Sequence, residues 1–247
     1  DSILENVNKG ANFSDHAVLY RMNAQSNALE NVFARSGISY KIIGGLRFYD
    51  RKEIKDVLAY LQLINNNNDD LRLRRIINEP KRGIGDTTVN TAAEIAAGLG
   101  ISLYEAIKGC DEYASLSRAS AKLKMFAGII DDLTELSNTL SISKLFEAML
   151  EATGYIEALK AEGDEGLDRI DNVKEFATTI AQYENETEEP SLSDFLEQIA
   201  LVTDIDALDT NADKVVLMTI HSAKGLEFNN VYLVGLEVET GNIVANS

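Results

Sequence analysis

The chain has 247 residues, of which 45% are hydrophobic and 26% charged, the composition of one or two globular domains rather than of a disordered, collagenous or coiled-coil chain. Its single cysteine, Cys110, and two distant histidines, His16 and His221, exclude an internal disulfide and a local zinc motif. Lys and Arg number 23 against 40 Asp and Glu, a net charge of −17, which taken alone argues against a polyanionic partner.

No apolar run approaches the ~18 residues of a membrane-spanning helix, and residues 1–10 lack the basic and apolar blocks of a signal peptide. The expectation is a cytoplasmic chain without a metal. Charge is unevenly spread, however. Lys41 to Arg82 holds ten basic residues against six acidic ones, a local excess of four positive charges, while the remainder carries −21. A basic island on an acidic body suits a confined polyanion contact; charge alone is equally consistent with a solvated helical face.

In chain order, Ala17 to Arg21 reads as a short apolar strand, and Asn23 as the N-cap of a helix whose face is Ala28, Leu29, Val32 and Phe33. Gly37 stands where a helix-ending glycine belongs, and Ser39 to Ile43 forms a second strand. A strand, helix and strand with short connections predicts two parallel strands in a covered sheet. After Gly44 and Gly45 the apolar period changes from two to 3.6. Asp50 and Glu53 suggest an acidic capping box ahead of the stripe Ile54, Val57, Leu58, Leu61 and Ile64.

Asn65 to Asp70 breaks that helix. Further stripes follow at Val89, Ala92, Ala93 and Ala96, at Leu123, Phe126, Ile130 and Leu133, at Leu145, Phe146, Met149 and Leu150, and at Ile170, Val173, Ala177 and Ile180. After the acidic break at 184–190, Ser191 and Asp194 cap a last helix, and 203–213 reads as a linker. Strand patterns then return at 215–220 and 231–236 as the continuous apolar runs of a buried parallel sheet. The fold class expected is therefore α/β, interrupted by a large all-helical insertion.

The most specific segment is VVLMTIHSAKGLEF, 215–228, where an apolar strand runs into Thr219, His221, Ser222, Lys224, Gly225 and Glu227. Polar groups at the carboxyl end of a parallel strand are candidates for a ligand site, although a plain strand-to-turn corner has the same pattern. The spacing is not that of a Walker A loop. In PKRGIGD, 80–86, Gly83 and Gly85 permit a tight turn, and Asp86 or Thr87 begins a helix whose first N–H groups can hold an anion beside Lys81 and Arg82. An ordinary interhelical turn with a basic rim reads the same way.

TIHSAKGLEF closely resembles motif V of the UvrD/PcrA/Rep family of superfamily 1 DNA helicases, its PcrA-type members in particular. AVLYRMNAQS (17–26), IIGGLRFYDRKEIKDVLAYLQLI (42–64) and RIINEPKRGIGD (75–86) resemble further family segments in the family's order. The resemblance implies a partial RecA-like parallel-sheet domain, 2A, from 1–47 and 205–247, interrupted by a helical 2B insertion at 48–204. It implies a fragment, because Walker A, the acidic Mg²⁺-binding motif and motif VI are absent from these residues. Its partners would be the 1A and 1B domains of the same polypeptide.

The resemblance also implies residue roles. Arg21, Asn23, Thr219 and His221 match single-strand DNA contacts. Glu227, with Lys224 and Gly225 beside it, matches the position that accepts a hydrogen bond from the ATP ribose. Lys81, Arg82, Gly83, Gly85 and Thr87 match a hairpin that grips duplex DNA. The parent would be an ATP-dependent 3′-to-5′ helicase using ATP with Mg²⁺, and this fragment alone would hold neither and hydrolyse no ATP. Two other readings are an acidic helical module that docks proteins and a fragment of a helicase-nuclease relative. The ending EVETGNIVANS, 237–247, departs from the family pattern, and no role is carried to it.

Overall fold

A computed structural model describes residues 2–205 and 213–235. It divides into two compact units, Asp1–Phe48 with Leu201–Ser247, and Tyr49–Ala200.

The first unit contains helix α1 (Ser2–Asn8), strand β1 (His16–Tyr20), helix α2 (Ser26–Arg35), strand β2 (Tyr40–Ile43), and strands β3 (Val215–Thr219) and β4 (Asn230–Leu233). The sheet order is β2-β3-β1-β4 and every pairing is parallel. β1 and β2 are thus parallel without being neighbours. The strand that follows the long helical segment enters between them, pairing Tyr20 with Thr219 and Ile43 with Met218. One sheet face buries Val18, Tyr20, Tyr40, Val215 and Leu217 against Phe33 of α2; the other gathers Ala17, Val216 and Met218 beneath Phe228. β3, flanked by a strand on each side, buries all four of Val215, Val216, Leu217 and Met218, which accounts for its unbroken apolar run.

Two sequence expectations are corrected at α2. Asn23 is not its N-cap: residues Asn23–Gln25 form a 3₁₀ turn, and α2 starts at Ser26. The side chain that ties this corner belongs to Gln25, whose Oε1 accepts from the N–H groups of Arg21 and Met22, both at 3.0 Å. The buried face of α2 is Ser26, Asn27, Glu30, Phe33 and Ala34, while Ala28 and Val32 are exposed. Polar residues occupy this face because Glu30 has work inside: its carboxylate accepts from the Phe48 N–H at 3.1 Å and the Tyr40 hydroxyl at 3.2 Å. Gly37 follows the helix with φ +65°, in keeping with its place in the sequence.

The second unit begins with α3 (Lys52–Asn65) and continues through α4 (Asp70–Ile76), α5 (Asp86–Leu99), α6 (Leu103–Lys108), α7 (Ser120–Leu136), α8 (Ile142–Thr153), α9 (Tyr155–Lys160) and α10 (Asp164–Glu186). α11 (Leu192–Ile205) follows, with the Ser191 hydroxyl accepting from the Asp194 N–H at 3.1 Å. No strand lies between residues 44 and 205. α3 is the central helix, packed by α4, α7 and α10. Ile54, Val57, Leu58, Ala59, Tyr60, Leu61, Leu63 and Ile64 are all buried on it, more than a single stripe, as a helix covered on several sides requires.

The capping box expected from Asp50 and Glu53 does not form. Arg51 is the N-cap residue, and Asp50 instead pairs with Lys55 at 2.7 Å. Glu53 is buried and accepts from Asn172 Nδ2 at 2.6 Å, while Arg51 Nη1 donates to the oxygen of the same amide at 2.8 Å. Beside this chain Asp56, only 2% exposed in its side chain, binds Arg75 at 2.7 Å and Lys52 at 3.2 Å and accepts from the Tyr155 hydroxyl at 2.9 Å. Burial works against the Lys52 ammonium, but Glu79 and Asp56 outweigh it and its pKa is raised. Most of the linker expected at 203–213, and the ending at 237–247, lie outside the described residues.

Candidate nucleic-acid interface

Adjacent parallel strands deliver whatever follows them to the same edge of the sheet. Arg21 and Asn23 follow β1; Thr219 ends β3 and His221 follows it, and the two exits are joined where the Ile220 N–H donates to the Tyr20 carbonyl at 2.9 Å. Four of the residues singled out in the sequence therefore converge at one edge. Arg21, Asn23 and His221 are exposed and Thr219 is half-buried. His221 makes no hydrogen bond among the described residues, so its ring is available to a ligand.

The β3 exit is held by its own hydroxyls. Thr219 Oγ1 accepts from the Ser222 N–H at 3.1 Å and lies 2.9 Å from Ser222 Oγ. The β2 exit closes on the same spot. Gly44, at φ +79°, is so near that an added β-carbon would stand 2.5 Å from Ser222 Oγ, and one on Gly45 would reach within 4.0 Å of Asn23 Oδ1. Three consecutive strand ends thus frame a shelf of hydroxyl, amide, imidazole and guanidinium groups. Sequence reading grouped Ser222 with the candidate polar residues without giving it a role, and took Gly44 only as punctuation; the available signal was a glycine pair directly at the end of an apolar strand.

Lys224, Gly225 and Glu227 are exposed on the segment that leaves this edge. The chain turns over 221–225 and crosses towards the start of β4, where Asn229 Nδ2 donates to Asp15 at 2.9 Å at the opposite edge of the sheet. Glu227 stands on this connection, after the turn in which the Leu226 N–H donates to the Ala223 carbonyl at 3.1 Å. It makes no ion pair among the described residues and offers an uncommitted carboxylate.

In the helical unit the turn from α4 to α5 runs through Lys81, Arg82, Gly83, Ile84 and Gly85. Gly83 takes φ +70° and Gly85 is the N-cap of α5, with no side chain between it and the first N–H groups of that helix. Lys81 and Thr87 are exposed, and Lys122 of α7 reaches over to donate to the Gly83 carbonyl at 3.0 Å. Arg82 is the exception, because its guanidinium is turned inward onto carbonyls and the Tyr60 hydroxyl.

The basic island is largely neutralised inside the fold. Lys52, Lys55, Arg72 and Arg75 pair with acidic residues of the same segment. Arg51 is buried, Arg74 donates to Asn90 at 3.0 Å, and Arg47 lies over the Tyr40 ring. Lys41 on β2 and Lys81 remain exposed without an ion pair among the described residues. Local charge excess therefore overstates the cationic surface, and within the helical unit the hairpin presents it through Lys81. Among the described residues no three His, Cys, Asp or Glu side chains are grouped to hold a metal ion, and no helix is long and apolar enough to cross a membrane.

Comparison with known proteins gives the same family as the motif pattern. The family model described as UvrD-like helicase C-terminal domain matches residues 1–241. The chain is 44% identical over 231 residues to ATP-dependent DNA helicase PcrA of Bacillus subtilis strain 168, covering 91% of this chain and 31% of that protein. It is 41% identical over 238 residues to the PcrA helicase of Staphylococcus aureus strain Mu50, covering 95% of this chain and 32% of that protein. The PcrA helicase of Staphylococcus epidermidis is 42% identical over 238 residues with the same coverage of 95% and 32%. The chain spans about a third of the length of the curated relatives it matches.

Proposed function

The chain belongs to the UvrD-like helicase C-terminal domain family, and from that premise we propose that it serves an ATP-dependent DNA helicase of the UvrD/PcrA type, acting in the cytoplasm and moving 3′ to 5′ along one strand. The observation that carries the reading is the convergence of the β1 and β3 exits, which supports Arg21, Asn23, Thr219 and His221 as a single-strand DNA shelf. The Arg21 guanidinium suits a phosphate through paired donors, and hydrogen bonds from Asn23, Thr219 and His221 hold register without reading sequence.

By the same proposal residues 1–47 and 205–247 form a 2A domain and 48–204 a 2B insertion. Lys81 and the backbone at Gly83, Gly85 and Thr87 grip duplex phosphates, with Arg82 in the same hairpin; the free N–H groups at the start of α5 favour an anion there. Glu227, with Lys224 and Gly225 beside it, accepts from the ribose of ATP bound against a 1A domain with its 1B insertion. Nothing in this chain follows the Walker A pattern, so phosphoryl transfer to water, assisted by Mg²⁺, depends on groups supplied by 1A.

The test is binding of a 5′-labelled oligonucleotide, single-stranded or as a tailed duplex, to the purified chain at low and moderate salt. Arg21→Ala and His221→Ala should weaken single-strand binding at least about tenfold together, and Arg21→Ala should lower the salt slope by about 0.7. Binding insensitive to salt and to both substitutions would sink the reading and favour an acidic protein-docking module.

A further inference from the structure

The α4–α5 hairpin contains a cation that faces the protein. Arg82 Nη1 donates to the carbonyls of Ile76 at 3.1 Å, Ile77 at 3.4 Å and Pro80 at 3.2 Å, and Nη2 donates to the Tyr60 hydroxyl at 2.7 Å. The guanidinium carbon lies 5.4 Å from the Phe126 ring centroid and 6.0 Å from that of Tyr60. Tyr60 passes the connection on by donating to the Glu79 carbonyl at 2.6 Å. On the other side Asn78 Oδ1 accepts from the N–H groups of Arg82 at 2.9 Å and Ile84 at 3.1 Å.

At the end of α4 helical partners run out: the Ile77 carbonyl has no backbone donor among the described residues, while that of Ile76 also accepts from the Glu79 N–H at 3.0 Å. A single planar group with five donors satisfies them, the Pro80 carbonyl and a phenol at once, which the three-donor ammonium of lysine cannot do between two rings. To present its Nη groups to a phosphate as a paired ligand, Arg82 would have to abandon four acceptors and its place over Phe126, which leave only Nε and one Nη2 hydrogen uncommitted. One screened surface contact with a phosphate does not replace them. Lys81, next in the chain and exposed, carries no such commitments.

We propose that Arg82 is a positioning residue of the duplex-binding hairpin and not one of its phosphate ligands: it fixes the carbonyls of 76, 77 and 80, so that the Gly83–Gly85 backbone and the first N–H groups of α5 are presented in one conformation. This rests on the duplex reading of that hairpin. The charge that meets phosphate is supplied by Lys81.

The experiment compares Arg82→Lys, Arg82→Met and Lys81→Met by duplex affinity against salt concentration and by hydrogen exchange of the free chain. Arg82→Lys keeps the charge, yet duplex affinity should fall at least about fivefold, with the salt slope unchanged in both Arg82 variants. Lys81→Met should lower the slope by about 0.9. In the free protein, exchange at the Arg82 and Ile84 amides should rise at least about tenfold in Arg82→Lys while α10 amides stay protected. Tyr60→Phe, which removes one of the four acceptors, should give the same signature more weakly if the Arg82 variants fail to fold.

A slope lowered by about 0.9 in Arg82→Met, with hairpin exchange unchanged, would make Arg82 a phosphate ligand and overturn the inference. So would Arg82→Lys with wild-type affinity and exchange. Failure of the duplex reading itself is seen separately, as wild-type protein that binds no duplex at low salt; the positioning role for DNA then falls with it, and exchange reports the bracing alone.

Discussion

Gly44 and Ser222 stand so close that a β-carbon on the glycine would lie 2.5 Å from the serine hydroxyl oxygen, which itself lies 2.9 Å from Thr219 Oγ1. The exit of β2 is thereby fitted to the exit of β3 across two side chains no larger than hydrogen and hydroxymethyl. At φ +79° Gly44 also occupies backbone space that other residues enter at a cost. Gly44→Ala should lose about 1–2 kcal/mol in urea unfolding and push Ser222 off Thr219. Single-strand affinity should fall with it by at least about fivefold, whereas Gly10→Ala, also at positive φ but with nothing within 4 Å, should cost stability and leave DNA binding unchanged. Equal binding by both variants would separate the Gly44–Ser222 fit from the single-strand shelf.

Glu30 shows what helix periodicity conceals. A buried carboxylate bonded to the Phe48 N–H and the Tyr40 hydroxyl looks, in sequence, like a charged residue on the solvent side of α2. Glu30→Ala should destabilise by about 2–3 kcal/mol because a buried N–H loses its acceptor. Glu30→Gln, which keeps a carbonyl oxygen at the same position, should recover roughly half. Thermal and urea unfolding of the two variants measure the difference, and equal losses would assign the effect to packing volume.

The helical stripes were legible because burial imposes a period of 3.6, and β1 to β3 because a covered sheet needs short apolar runs. β4, expected as a buried strand at 231–236, is instead the edge strand Asn230–Leu233 with Val231 and Leu233 exposed, since an edge strand has a neighbour on one side only. The strand order was not legible: β3 enters between β1 and β2 from about 170 residues away, and no local pattern encodes that neighbour. A long-range partner also defeated the capping box, since Glu53 is claimed by Asn172, 119 positions later. At the interface, the strand end pointed to Thr219 and His221 and the family resemblance to Arg21 and Asn23, but the inward turn of Arg82 depends on where Tyr60 and Phe126 lie in three dimensions.

Asp56 is a buried carboxylate of the helical unit with three partners, held by Arg75, Lys52 and the Tyr155 hydroxyl with a side chain 2% exposed. Asp56→Ala leaves a guanidinium and a phenol without their acceptor and should cost about 3–5 kcal/mol. Asp56→Asn retains the shape and one acceptor and should cost less, about 1–3 kcal/mol. Chemical denaturation reports both. If Asp56→Ala lost under about 1 kcal/mol, the cluster would be worth no more than a surface ion pair.

Alkaline pH should unfold the helical unit through its tyrosines. Burial raises the Tyr60 hydroxyl to about 12, with the charges of Asp56 and Glu79 adding and Arg82 opposing. Tyr155 is raised by burial and then by Asp56, and Tyr104 by burial and then by its bond to Asp131. An unfolded tyrosine ionises near pH 10, so the fold binds these protons more tightly than the unfolded chain does. The stability this supplies is whole below about pH 10 and is lost as pH rises from there through about 12 for Tyr60 and beyond for the other two. For Tyr60 alone the two-unit gap amounts to about 3 kcal/mol as an order of magnitude. Of the nine tyrosines, these three should therefore gain tyrosinate absorbance only in step with the loss of helical circular dichroism, and Tyr60→Phe should move that transition to higher pH. A smooth titration of all nine near pH 10, complete before the helix signal changes, would show the three hydroxyls to be open to solvent.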